Sequence, residues 1–224
     1  MQQIEPLTYG KFYHIYNRGI NSCDLFSDAA NYQYFLSLYE KHISPVADTY
    51  AWVLMKNHFH FLVRIKEEKK INFISEKTLS GSKTTERVET APSVVLNPNG
   101  GCQKKYIPSH QFSHLFNAYA QAYNKRNKRT GSLFEHPFHR KEITDQEYLK
   151  TLVIYIHNNP VHHKFTEHAM DYPWSSYLAY ISVKSTNLQR DTIIGWFDDM
   201  ANFKMAHDKK GDINDIESWL GFKP

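Results

Sequence analysis

The sequence predicts an α+β fold: a ferredoxin-like antiparallel sheet with helices, a long insertion, and a short helical C-terminal appendix. Three observations carry this reading. Segments of strand and helix periodicity follow one another as strand, helix, strand, strand, helix, strand, helix. The middle strands, 49 to 55 and 58 to 65, are separated only by Lys56-Asn57, a tight connection that makes them a hairpin. The 224 residues lack the repeated strand–helix units of a barrel. Residues 1 to 183 read as the main domain with 67 to 108 inserted, and 184 to 224 as an appendix of unassigned role.

Taken in order, KFYHIYNR (11 to 18) is a strand closed by Gly19. Residues 29 to 43 are a helix, because Tyr32, Phe35, Leu36, Tyr39 and Ile43 recur at helical spacing and Ser27 or Asp28 can cap it. In the second hairpin arm, alternation gives Phe59, Phe61, Val63 and Ile65 one face, a core face. His58, His60, Leu62 and Arg64 share the other. From about residue 67 the pattern dissolves. Residues 79 to 108, rich in Ser, Thr, Gly, Pro and Asn, predict a long excursion. Helical order returns at Ser109 with the stripe Phe112, Leu115, Phe116, Tyr119, Ala122, Tyr123, and ends in the basic NKRNKRTG with Gly131 at the exit. A short strand is expected over 132 to 143. Thr144-Asp145-Gln146-Glu147 then reads as a capping box for a helix that Pro160 stops.

The net charge of +4 is unevenly spread. Lys104, Lys105, Lys125, Arg126, Lys128, Arg129, Arg140 and Lys141 stand against Glu135 alone, with Tyr106, Phe112, Phe116, Tyr119, Tyr123, Phe134 and Phe138 interleaved. Basic groups track phosphates and exposed aromatics stack bases, so this stretch points to nucleic acid. The competing reading is a solvated helix end and a charged loop. No run approaches the ~18 apolar residues of a membrane helix, and the N-terminus lacks the layout of a secretory signal. Cys23 and Cys102 fit free thiols in a reducing cytoplasm, the alternative being one disulfide between them.

His58 and His60 put two imidazoles side by side, and neutral imidazole is the commonest metal ligand. The bland alternative is a polar outer face on a half-exposed strand. Tyr155 and Asn159, four residues apart, share a helical face. Two imidazoles and an amide oxygen leave positions open for phosphate oxygens and water, which suits Mg²⁺ or Mn²⁺, the nitrogens favouring Mn²⁺. Zinc recruits a further Cys, His or carboxylate, and none stands at obvious spacing. Tyr155 alone reads as a core aromatic, and Asn159 alone as a helix cap. Tyr148 is the rival nucleophile, but only Tyr155 stands four residues before an amide. Histidine ligands have to be neutral, so activity is expected to fall below about pH 6.

The ordered motifs YHIYNRG (13 to 19), AWVLMKNHFHFLV (51 to 63), RTGSLFEHPFHRKEI (129 to 143), YIHNNPV (155 to 161) and DYPWSSY (171 to 177) resemble the single-tyrosine HUH transposases, and most closely the REP-associated tyrosine transposases of bacteria. The resemblance spans roughly residues 11 to 180. It implies an HUH endonuclease core in a bacterial cytoplasmic protein, with His58 and His60 as metal ligands and Asn159 completing the coordination. Tyr155 would be the nucleophile on single-stranded hairpin DNA, leaving a 5′-phosphotyrosine link and a free 3′-hydroxyl. Arg140 and Lys141 would hold the DNA backbone, and Arg18 would take a DNA or structural role. A tyrosine helix exchanged between subunits would require a homodimer. Two other classes compete: a non-catalytic module for structured single-stranded DNA or RNA, and a small-molecule metallohydrolase, which needs a longer barrel.

Overall fold

The computed structural model describes residues 6–71, 73–74, 94–96 and 102–208, with side chains from 6 to 71 and 105 to 208. β1 (Phe12–Arg18), α1 (Ala29–Ile43), β2 (Ala47–Leu54) and β3 (His58–Ile65) come first. Three short strands follow, β4 (Phe73–Ile74), β5 (Val94–Leu96) and β6 (Cys102–Lys105). Then come α2 (Pro108–Arg126), β7 (His139–Ile143), α3 (Gln146–His162), α4 (Tyr177–Ile181), α5 (Arg190–Trp196) and α6 (Met200–Asp208).

The main sheet has the order β2-β3-β1-β7, every neighbouring pair antiparallel. β1 and β2 are therefore parallel with β3 between them, and β3 and β7 are parallel with β1 between them. These two interleaved split β-α-β units are the ferredoxin-like arrangement. Alternation along β3 divides two cores. Phe59, Phe61, Val63 and Ile65 pack with Phe35 and Tyr39 of α1 and Phe112, Leu115 and Tyr119 of α2. Leu62, Val53 and Ile143 pack on the opposite face with Leu152, Val153 and Ile156 of α3. Phe59 and Phe61 are fully buried, each contributing about 2–3 kcal/mol.

Local sequence sets the joints. Gly19 ends β1 because a Cβ there would stand 2.1 Å from the Cys23 carbonyl oxygen. Asp28 caps α1 by accepting the Asn31 N–H at 3.0 Å. Ile193, Phe197 and Phe203 seat α5 and α6 on the α3 side of the sheet.

Several expectations need correcting. The strand expected over 132 to 143 is confined to His139–Ile143. Before it the chain makes only an isolated bridge, Gly19 to Phe134, and Pro137 has no N–H to give a ladder. α3 is capped by Asp145, whose carboxylate accepts the Glu147 N–H at 2.8 Å, rather than by Thr144. Pro160 does not stop α3, which runs to His162. The proline removes one helical bond, while His163 N–H still reaches Asn159 O at 3.0 Å and Asn158 Nδ2 donates to His207 O at 2.9 Å. At the end of α2, Asn127 is the C-cap and Lys128 takes the positive φ, of 51°, so the exit precedes Gly131. The stretch read as featureless contains β4, β6 and β5, paired in that order as a second antiparallel sheet. Residues 72, 75–93 and 97–101 of the excursion, and Trp219 and Leu220 of the appendix, lie outside the described residues.

Candidate active site

β3 presents His58 and His60 to the α3 side of the sheet, and α3 presents Tyr155 and Asn159 to the same place. His58 Nδ1 lies 2.8 Å from Asn57 Oδ1, and His58 Nε2 lies 3.0 Å from Asn159 Oδ1. The Tyr155 ring stands edge-on to His60 with centroids 5.5 Å apart. All four residues meet within one chain. Tyr155 is only 3% exposed, so a strand reaching its hydroxyl has to displace what covers it. Tyr148, two turns earlier on α3, is half-buried against the same core.

Burial governs the charge of the site. It lowers the His58 pKa to about 4, against a smaller opposing effect of the hydrogen bond to Asn159. It holds His60 well below the ordinary imidazole value, helped by His14, His58 and His163. Both rings are therefore neutral at pH 6, and protonation of His58 does not set in until near pH 4. The fall in activity expected below pH 6 through these histidines moves to lower pH accordingly.

The donor set can be tested for a divalent ion. A neutral His58 has one proton, which can point from Nδ1 to Asn57 Oδ1 or from Nε2 to Asn159 Oδ1. In the Nδ1–H tautomer, Nε2 turns a lone pair toward Asn159 Oδ1, 3.0 Å away. Two acceptors at this separation match adjacent ligands of an octahedral ion, which lie ~3 Å apart when each bond is ~2.1 Å. Asn159 Nδ2 is buried without a hydrogen-bond partner, so Asn159 is not held by its own amide donors. Among the described residues no three His, Cys, Asp or Glu side chains converge as a metal cluster. The donors this face offers are two imidazoles and one amide oxygen.

Sequence reasoning missed several neighbours. His14, on β1, is fully buried, and its Nε2 lies 3.0 Å from His60 Nδ1. Burial lowers its pKa to about 3, with Lys141 adding to the effect. Both rings being neutral, His60 keeps an open Nε2 lone pair only when its Nδ1–H donates to His14. His163, on the C-cap of α3, brings its ring to 5.0 Å from His58, and His162 stacks 6.4 Å from Tyr155. Alternation along β1 puts His14 and Tyr16 on one face, but the pairing of β1 with β3 is a long-range fact no local pattern carries.

The basic residues separate into groups. Arg18 pairs across the strands with His58 and makes an ion pair with Glu135 at 3.4 Å. Lys141 pairs with His14 and so shares the site face. Arg140 pairs with Ile15 and faces the other way, its guanidinium 4.0 Å over the Phe138 ring. Lys125, Arg126, Lys128 and Arg129 lie at the end of α2, on the opposite face of the sheet. There Arg126 is engaged with Asp28 at 2.7 Å and Arg129 with Asn124 at 3.1 Å. Cys23 is a free thiol, and no helix among the described residues is long and apolar enough to cross a membrane.

No family model and no curated protein matches the chain. Among solved structures it is similar to a REP-associated tyrosine transposase bound to a REP hairpin, with a TM-score of 0.56 and 15% identity. The alignment covers 81% of this chain and 85% of that one. At that identity the likeness shows a shared fold: the α+β core here is built as in a hairpin-binding tyrosine transposase.

Proposed function

We propose that the chain is a metal-dependent transposase, a site-specific endonuclease that nicks and rejoins single-stranded hairpin DNA through a 5′-phosphotyrosine intermediate. The observation that carries this reading is the assembly of Tyr155, His60, His58 and Asn159 across the sheet and α3. The solved transposase of the same fold supports it through the hairpin it binds.

His58, His60 and Asn159 would hold Mg²⁺ or Mn²⁺, which when bound draws charge from the phosphate under attack. Tyr155 supplies the nucleophilic oxygen. Its phenol loses a proton and forms a bond to phosphorus, the bond from phosphorus to the 3′ oxygen breaks, and that oxygen leaves as a hydroxyl after taking up a proton. The same hydroxyl can attack the phosphotyrosine, which restores a phosphodiester with no external energy source. Asn57 can fix the tautomer of His58 and His14 that of His60, and burial keeps both rings neutral. Arg18 and Lys141, flanking the histidines on the same face, are suited to backbone phosphates.

The test incubates the protein and Mn²⁺ with 5′- and 3′-labelled single strands carrying hairpins from the DNA flanking its gene. A denaturing gel should show a covalent band with the wild type, none with Tyr155→Phe, and a retained band with Tyr148→Phe. Hairpin binding that persists in chelator, with no band on any strand, would move the conclusion to a non-catalytic binding module.

A further inference from the structure

Four rings stand in a row across the face of the sheet that carries the candidate site. His139 of β7 stacks on Tyr16 of β1 with centroids 4.8 Å apart and planes 6° apart. Tyr16 stacks on His14 at 4.7 Å and lies 5.9 Å from His60 with planes 27° apart. The inner end of the row, His60, meets Tyr155. The outer end, His139, is exposed and sits on β7, an edge strand of the main sheet. Tyr16 covers one face of the His139 ring, and no other ring stacks on it among the described residues. Lys141 lies two residues along the strand on the same face, since its cross-strand partner is His14 and that of His139 is Tyr16.

A row of near-parallel rings with an open outer face can be lengthened by one more flat ring. The cation beside it and the phosphodiester chemistry proposed at its inner end indicate which kind. An unpaired base offers a free π-face, which stacks on aromatic side chains whatever its identity. Burial against Tyr16 holds the His139 pKa below the ordinary imidazole value, so at neutral pH the contact is stacking and not ion pairing. We propose that the outer face of His139 is a stacking subsite for one unpaired nucleobase of the strand that runs into the active site, with Lys141 against the adjoining backbone phosphate. The subsite rests on the functional reading above and deepens it. Two ring-to-ring steps separate His139 from His60, so the stacked base belongs to a nucleotide flanking the scissile phosphate. The contact adds affinity and register without reading sequence.

The test uses the Tyr155→Phe chain, so that binding is read without chemistry. Its DNA is a labelled hairpin with a single-stranded flank, in which an abasic site is walked one nucleotide at a time. At one flank position, loss of the base should weaken binding roughly 5- to 100-fold. His139→Ala in the same chain should weaken binding to the intact DNA by a similar factor and make that abasic site silent. His139→Phe keeps a ring and should bind within about twofold of its parent. An abasic profile unchanged by His139→Ala overturns the subsite, as does His139→Phe binding as weakly as His139→Ala. Adduct formation by the wild type on the intact DNA is measured alongside. An adduct with a profile indifferent to His139 removes the subsite and leaves the active-site reading standing. No adduct, with a profile that depends on the ring, removes the active-site reading and keeps the stacking site.

Discussion

Acidification from pH 7 to pH 5 should cost this protein much of its stability, and the size of the loss follows from its buried histidines. His14 titrates at about 3 when folded, and His58 and His207 at about 4, in each case chiefly because burial disfavours the charged ring. In the unfolded chain each returns to about 6.5. Between these values the unfolded state binds more protons than the folded one, so stability falls as pH falls. The contribution is fully present above pH 6.5 and is lost progressively down toward the folded values near 4 and 3. At pH 5 each of the three groups has cost about 2 kcal/mol, taking 1.36 kcal/mol per pH unit. If they act independently the loss is roughly 6 kcal/mol, a large share of the ~5–15 kcal/mol that holds a domain folded. Urea unfolding at pH 7, 6 and 5, in chelator so that metal binding adds nothing, gives the free energy directly. His207→Gln should reduce the loss from pH 7 to pH 5 by about 2 kcal/mol. A stability flat to within ~1 kcal/mol over that interval would refute the claim that these rings are buried and neutral.

Three further outcomes are expected. His14→Leu removes the acceptor for His60 Nδ1–H and should weaken Mn²⁺ binding by about 10- to 100-fold in calorimetric titration, whereas His14→Gln, which can still accept, should restore most of it. Lys141→Ala should lower the salt slope of hairpin binding by about one, and Arg140→Ala should leave it unchanged, because Arg140 points to the opposite face. His157 joins His207 Nε2 at 2.9 Å to Ser176 Oγ at 2.7 Å. His157→Ala leaves the buried His207 Nε2 without its partner and takes one hydrogen bond from Ser176, so urea unfolding should report a loss of about 3 kcal/mol.

The sequence made the four strands of the main sheet, helices α1 to α3 and the two faces of β3 legible because each follows from local periodicity. Helix α1 falls at the limits read from its apolar spacing and its Asp28 cap. The misreadings share one cause, tertiary context overriding a local signal. Pro160 is a sound stop signal in an isolated helix. Here Asn158, Asn159 and Pro160 are all buried, and packing carries α3 one more half-turn. Arg140 and Lys141 are equivalent in a charge count and opposite in the sheet, since adjacent residues of a strand face opposite ways. The pair at His58 and His60 could be seen from spacing, but His14 could not be joined to them. Its partnership depends on β1 lying beside β3, His14 and His60 standing 46 positions apart in sequence.

That adjacency also explains why the site is where it is. Interleaving two split β-α-β units puts β1 and β3 at the centre of the sheet, where His14 and His60 are buried and stay neutral. α3 lies outside both units and crosses the free face, which makes it the element able to bring a tyrosine and an amide down onto those rings. Its depth then has to be fixed from behind, because a displacement of ~1 Å at a reacting group can cost ~100-fold in rate. His157, between Tyr155 and Asn159 in sequence, meets that need. It points away from the site into a buried hydrogen-bonded chain with Ser176 and His207, and His207 Nδ1 donates to Phe203 O at 2.7 Å within α6. Ser176 Oγ in turn accepts the Trp52 N–H of β2 at 2.9 Å. The helix carrying the proposed nucleophile is thus pinned to the sheet on one side and to α6 on the other. The appendix, for which sequence suggested no chemistry, is hydrogen-bonded through His207 to the helix that carries Tyr155.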